Sequence, residues 1–430
     1  MKNKPTLSIA PYYGGKGRMA HFIADRINYD DTDVFITPFG GMCRVLLNKP
    51  RHREEFYNDF SAGLNALMRV LSSPEQAVEF IHRLEDETDY SLATFERQKE
   101  IFDSAEKDFE EQARARLRNA FIAHGLATPF SINTLFDTIT NELCKVVPED
   151  GEGFLSDSDF PEYLLRGTPD TLGSLKELFS TIKKHPDYQE SLEQPLIDWL
   201  RFYIIKQEGE LRRPMDYGKP ISDIELAMAT YVVFQQSRDG MGQVWSSAKF
   251  SSDAQYKKQL VKLFDCAERL EGVHVLELDA SDFFVKLINW NDEEKKHEYI
   301  RPFEKFNTPE VMMYCDPSYI SVESEAKLLS GINVVQAPSL SEAILEKYGG
   351  KMPTNLGKVY ARSFGYQQQE QFLRGIQNAR AHIMVSNYDL QLYNKYLNPS
   401  TGWKREEFET TTGVGGKRNN KRTEVIWYNY

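Results

Sequence analysis

No stretch of this chain approaches the roughly 18 consecutive apolar residues that a membrane-spanning helix requires, so a role inside a bilayer is not expected. The opening segment MKNKPTLSIAPYYGGKGRMA has no apolar central run of the signal-peptide kind. Cysteine is scarce. Cys43, Cys144, Cys266 and Cys315 stand far apart and show none of the paired spacings that metal ligands use. A disulfide framework is therefore not expected, nor is a metal, and a reducing cytoplasm fits best. Basic residues are also in deficit, 52 against 64 acidic, for a net charge of −12. That balance argues against a nucleic-acid partner only if it is uniform. It is not: residues 75–210 carry 29 acidic and 14 basic residues, a net of −15, which leaves the rest of the chain at +3. The flanks can therefore hold a local basic groove.

What is present is enough apolar residue, 41% of 430, for one large domain with an insertion or for two or three domains. Residues 6–60 alternate short apolar runs with glycine turns. DVFITPFGG reads as a strand and tight turn, Met42 to Leu47 as a short helix, and EEFYND as a second strand ending at an acid. This is the rhythm of a parallel α/β sheet. Helical spacing follows in LNALMRVL, AVEFIHRLEDE and SLKELFSTIKKH, interrupted by the polar loop PEDGEGFLSDSDFPEY. Strand-like segments return in GVHVLELD (272–279), VMMYCD (311–316), HIMVSNYD (382–389) and TEVIWYNY (423–430), with helical stretches at 255–270 and 368–382 between them. The expected organisation is a core part over 1–74, an acidic and mainly helical insertion over 75–225, a target-reading loop over 226–255, and the rest of the core over 256–430.

The segment VMMYCDPSYI carries an apolar strand straight into Asp316, Pro317, Ser318 and Tyr319. In an open parallel sheet such a strand delivers its last residues to the ligand crevice. Asp316 precedes a proline and is biased toward extended backbone. The turn then offers two acceptors, the Asp316 carboxylate and the Pro317 carbonyl, with the aromatic face of Tyr319 just beyond. Two acceptors suit an amino group with two hydrogens on a flat ring, and holding both hydrogens leaves the nitrogen lone pair for an electrophilic methyl. The plain alternative is a strand that ends in a turn built from common turn residues.

The wider pattern resembles the Dam-like DNA adenine methylase family, amino-methyltransferases with a DPPY motif. PYYGGKGRMA (11–20) is similar to the family's N-terminal motif and TPFGGMCRVLLNKP (37–50) to its glycine-rich cofactor loop. EFYNDFSAGLNAL (55–67) is similar to the acidic end of its second strand, LELDASDFF (276–284) to a later acid position, and CDPSY to the catalytic motif. IMVSNYD (383–389) and RTEVIWYNY (422–430) resemble the strands that follow. Together these cover about half the chain, in the family's order. The resemblance implies a Rossmann-like fold with a mostly parallel seven-stranded sheet, its final strand antiparallel, and S-adenosylmethionine as cofactor.

By the same resemblance, Tyr12 or Tyr13 and Lys16 would touch the cofactor near its methionine end. Pro38, Phe39, Gly40 and Gly41 would pass beneath it, and Asp59 would take its ribose hydroxyls. Asp279, with Asp282 as a neighbouring candidate, would lie near its adenine. Asp316 and Pro317 would hold the target amine and Tyr319 would stack on the base. Each has a plain counterpart: Gly14 and Gly15 as a turn, Lys16 as a solvated lysine, Asp59 as the cap of the helix beginning near Ser61. Two positions depart from the family pattern. Cys43 stands where it has a second glycine, and Ser318 where it has a second proline, which frees the backbone around Pro317.

The expected substrate is double-stranded DNA with an adenine turned out of the stack. Phosphate contacts are expected from Lys417, Arg418, Lys421 and Arg422 in a terminal hairpin, and base reading from Arg238, Gln243 and Lys249 around a glycine-rich loop. The acidic insertion leaves three roles open: shaping the reading domain, binding a partner protein, or filling space. Two other functions stay in view: a cytosine-N4 or RNA-adenine methyltransferase, and a catalytically decayed DNA-binding or cofactor-sensing protein.

Overall fold

The computed structural model describes residues 6–17, 19–106, 215–216, 219–220, 222–238, 240–276, 280–284, 287–291, 296–300, 302–349, 353, 364–412 and 420–430. Two compact units divide the chain. One comprises residues 1–106, 215–280 and 306–430, the other 107–214 and 281–305. In the second unit the described residues include an antiparallel pair, Leu287–Asn291 with Lys296–Ile300, and a contact cluster of Phe283, Phe284 and Phe303.

The first unit is built on seven strands: β1 (Val34–Thr37), β2 (Glu54–Asn58), β3 (His274–Leu276), β4 (Val311–Cys315), β5 (His382–Tyr388), β6 (Lys404–Thr412) and β7 (Asn420–Tyr428). Their order is β6-β7-β5-β4-β1-β2-β3. The sheet is mixed. β3, β2, β1, β4 and β5 pair in parallel, whereas β7 runs antiparallel to both β5 and β6. All five residues of β4 are buried, as expected for a central strand covered on both faces. β6 was not anticipated. Its sequence KREEFETTT is too charged to read as a strand, but it forms the sheet's edge, where charge is tolerated.

Parallel pairing fixes where the chemistry collects. Val34 faces Glu54 and Val311 across β1, so β1, β2 and β4 point the same way. The segments after Thr37, Asn58 and Cys315 therefore emerge at one edge of the sheet, the edge where α/β folds bind ligands.

Helices complete the core. Ser61 caps α1 (Ala62–Ser72) by accepting from Leu64 N–H. Pro74 begins α2 (Pro74–Glu87), which buries Ala77, Phe80, Ile81 and Leu84. A reciprocal Ser222–Glu225 capping box starts α3 (Asp223–Gln236), and α3 is buried continuously from Leu226 to Gln236. Arg69 on α1 holds Asp223 through two hydrogen bonds of 2.8 and 2.9 Å. The helix α2 and the helical residues 92–106 thus lie in the same unit as the sheet, although the sequence placed them in the insertion. The helical stretch expected over 255–270 is two helices, Asp253–Leu260 and Lys262–Leu270, separated at Val261. Among the described residues no helix is long and apolar enough to cross a membrane.

Candidate functional site

The turn after β4 places Asp316 between two donors. Lys16 Nζ lies 2.7 Å from Oδ2, and Ser386 Oγ donates to Oδ1 at 2.9 Å. Ser386 is brought there by register: Tyr314 pairs with Met384 and Cys315 with Val385, so the next step along β5 falls beside Asp316. The Tyr314 hydroxyl is 2.8 Å from Ser386 Oγ. Because the serine proton is used on Asp316, Tyr314 donates to Ser386. Burial, followed by the nearby Asp316 charge, pushes the Tyr314 phenol up and keeps that proton in place.

Lys16 does more than pair. Its buried ammonium donates to Gly14 O at 3.0 Å and sits 4.4 Å from the centre of the Tyr319 ring. Tyr319 is half-buried. Its ring meets Tyr388 edge-on at 4.6 Å, and its hydroxyl donates to Glu424 Oε2 at 3.2 Å. Burial, then Asp316 and Glu424, raise its pKa, so it stays a phenol.

Ser318, the departure from proline, is a tether. Its hydroxyl accepts from Phe364 N–H at 2.8 Å and donates to Phe364 O at 3.3 Å. Gln369 donates from one amide nitrogen to Ser318 O at 2.9 Å and to Phe364 O at 2.8 Å. The Phe364 ring meets Phe39 edge-on at 5.1 Å. The turn after β4 is thus linked to the loop after β1 through one phenylalanine.

That second loop is shaped by absent side chains. A Cβ on Gly40 would stand 2.1 Å from the Tyr57 ring, so only glycine fits there. Gly41 has φ +51°, and Tyr57 donates to its carbonyl at 2.8 Å. Asn58 Nδ2 donates to Pro38 O at 2.9 Å. Asp59 ties the loop to α1: Oδ2 accepts from Gly41 N–H at 2.8 Å and Oδ1 from Ser61 N–H at 2.9 Å. The helix cap itself is Ser61. Cys43 adopts a left-handed φ of 40°, the conformation that glycine would supply, and its buried thiol packs 3.6 Å from Met68 Sδ.

Tyr12 feels the charge of both Asp59 and Asp316. Burial, then the charges of Asp59, Glu106 and Asp316, hold its phenol well above the usual range. Tyr13 N–H donates to Gly240 O at 3.1 Å, and a Cβ on Gly240 would stand 2.8 Å from the Pro11 carbonyl carbon. The glycine-rich loop after α3 therefore packs on the N-terminal motif. In that loop Arg238 and Gln243 are exposed. The Lys249 ammonium donates to Ser237 O at 2.8 Å and Phe234 O at 3.4 Å, closing the carboxyl end of α3.

The structure thus brings together Tyr12, Lys16, Asp59, Asp316 and Tyr319, with Phe39, Gly40 and Gly41 lining the adjoining loop. Asp279, Lys417 and Arg418 lie outside the described residues. Lys421 and Arg422 fall on β7, opposite Thr411 and Thr410. Sequence reasoning missed Ser386, Glu424, Phe364 and Glu106, which accepts from Ser61 Oγ and Gly63 N–H at the start of α1. Only Ser386 left a sequence signal, as a polar residue inside the apolar run IMVSNYD.

Residues 12–129 match the family model for D12 class N6 adenine-specific DNA methyltransferases. The match spans the N-terminal motif, the loop after β1 and Asp59, and supports both the Dam-like adenine methyltransferase resemblance and adenine methylation in general. The turn after β4 lies beyond it and rests on the geometry above. No curated protein matches the chain.

Proposed function

We propose that this protein is a site-specific DNA adenine N6-methyltransferase that uses S-adenosylmethionine and acts on an adenine turned out of the duplex. The observation that carries this reading is Asp316. It is a carboxylate at the carboxyl end of a central buried strand, clamped on both oxygens and followed by Pro317 and an aromatic ring.

The residues present fit the cofactor. Gly40 and Gly41 leave the loop after β1 without side chains, Phe39 offers an apolar face, and Asp59 places a carboxylate at the end of β2 for ribose hydroxyls. When bound, S-adenosylmethionine supplies an electrophilic methyl on a sulfonium. The protein's own work is positioning. Asp316 and the Pro317 carbonyl accept the two hydrogens of the target amine, which localises the nitrogen lone pair toward the methyl. Tyr319 stacks on the base, oriented by Glu424 and Tyr388. As the nitrogen–carbon bond forms, the amine must lose one proton, and Asp316 is the group placed to take it. Lys16 and Ser386 hold that carboxylate in one orientation. Arg238 and Gln243, with Lys417, Arg418, Lys421 and Arg422, are assigned to double-stranded DNA.

The test is transfer of labelled methyl from S-adenosylmethionine to unmethylated duplex DNA, beside Asp316→Ala, with the product nucleosides separated. Label in N6-methyladenine that the variant loses supports the reading. Label in N4-methylcytosine, or on RNA alone, would replace the substrate. Cofactor binding without transfer to any nucleic acid would leave a binding protein.

A further inference from the structure

We infer that Arg44 is the receptor for the carboxylate of the methyl donor. This rests on the cofactor reading above and names the group that would take the donor's single anionic end.

Arg44 directly follows the loop after β1 and runs beneath the glycine turn that presents Lys16. A Cβ on Gly17 would stand 2.1 Å from Arg44 Nη1, and one on Gly15 would stand 3.5 Å from Nε. The guanidinium thus packs flush against glycines at both positions. It is half-buried, and its Nε is fully buried with no hydrogen-bond partner. Among the described residues its side chain forms no ion pair. Burial lowers its pKa, yet a guanidinium does not release its proton in a protein. A desolvated cation without a partner is costly and is normally paired.

The other charges of the candidate site are already committed. Asp59 holds Gly41 and Ser61 N–H, Glu106 holds Ser61 and Gly63, and Asp316 holds Lys16 and Ser386. Lys16, which the sequence pointed to for the methionine end, would have to leave Asp316 and Gly14 O to receive an anion. Among the described residues Arg44 has no such partner to give up. S-adenosylmethionine carries a sulfonium, an ammonium and one carboxylate, and a carboxylate matches the planar guanidinium fork. A DNA phosphate is the competing anion. The placement of the guanidinium under Gly15 and Gly17, rather than on an exposed face, favours the small ligand.

The experiment is calorimetric titration of the full-length protein with two probes. S-adenosylhomocysteine has the carboxylate, and 5′-methylthioadenosine lacks the whole amino-acid end. Arg44→Met should weaken S-adenosylhomocysteine by about 10- to 100-fold and leave 5′-methylthioadenosine within about twofold, because that probe has no carboxylate for the guanidinium to meet. Arg44→Lys should fall between. The ligand-free melting temperature of Arg44→Met should not drop, because no intramolecular pair is lost. Equal weakening of both probes, or an unchanged S-adenosylhomocysteine affinity, overturns the assignment. So does weakened duplex binding with cofactor affinity intact, which would give the anion to DNA. Binding of neither probe by the unsubstituted protein would instead defeat the cofactor reading itself.

Discussion

Ser386 and Asp316, 70 residues apart in sequence, are joined by a 2.9 Å hydrogen bond that the parallel β4–β5 register imposes. With Lys16 on the other oxygen, the carboxylate is held from two sides. Removing the serine hydroxyl leaves the charge pair but frees the plane of the carboxylate. Ser386→Ala is therefore expected to lower turnover about tenfold while leaving cofactor affinity unchanged, because the loss is one of aim. Asp316→Ala should cost at least about 10³-fold. Tyr314→Phe, one bond further back, should show a smaller loss than Ser386→Ala. Single-turnover methyl transfer measures all three, and full activity in Ser386→Ala would make the hydrogen bond incidental.

Ser318 changes meaning between sequence and structure. Beside a proline motif it reads as a weakened turn. In the fold its hydroxyl exchanges two hydrogen bonds with the Phe364 backbone and so holds the ring that packs on Phe39. Ser318→Ala is expected to destabilise the protein by about 1–2 kcal/mol and to weaken cofactor binding, with Ser318→Thr retaining both properties. Urea unfolding and cofactor titration report these separately. Loss of stability with cofactor affinity untouched would show that the tether does not reach the loop after β1.

The contrast between Ser318 and Asp316 shows what the sequence could disclose. Asp59 and Asp316 could be singled out because each directly follows a strand-like segment, a pattern local in sequence. Partners set by strand register were not. Ser386, Glu424 and Phe364 lie 70, 105 and 46 residues from the groups they hold, and no local periodicity announces such pairs. β6 escaped for a different reason: at a sheet edge burial no longer selects apolar residues, so KREEFETTT keeps the composition of a surface loop. The contacts of Lys249 with the carbonyls at the end of α3 were equally out of sight, because they depend on how the glycine-rich loop folds back.

Cys43 and Gly40 test the loop backbone. Cys43 is the only described non-glycine residue with positive φ. Cys43→Gly and Cys43→Ala both remove the thiol, but only alanine keeps a Cβ in the left-handed region. Cys43→Gly should be the more stable of the two by about 1 kcal/mol. At Gly40 the problem is contact. Tyr57 is fully buried and cannot retreat from a new Cβ, so Gly40→Ala should cost about 1–3 kcal/mol. Chemical denaturation of the three variants decides. Equal stability of the two Cys43 variants would mean that the loop relaxes without cost.

At the opposite end of β2, Lys49 and Arg269 share one carboxylate, Glu55, which Arg269 grips at 2.6 and 3.0 Å. Two cations on one acid leave one in excess. Burial pushes the Lys49 ammonium from 10.5 down to about 7, with Glu55 partly opposing. His52 Nδ1, 2.7 Å from Lys49 Nζ, is pushed from 6.5 down to about 4 by burial and by that ammonium. Both groups bind protons more weakly in the folded state than in the unfolded chain. Stability should therefore rise with pH across about 4–6.5 from His52, and again across about 7–10.5 from Lys49. Lys49→Met removes the second rise. The stability of the unsubstituted protein relative to Lys49→Met should thus grow from pH 7 to pH 9, followed by urea unfolding at each pH. A difference that stays flat, or shrinks, would show that the buried ammonium carries no net penalty and that Glu55 accommodates both cations.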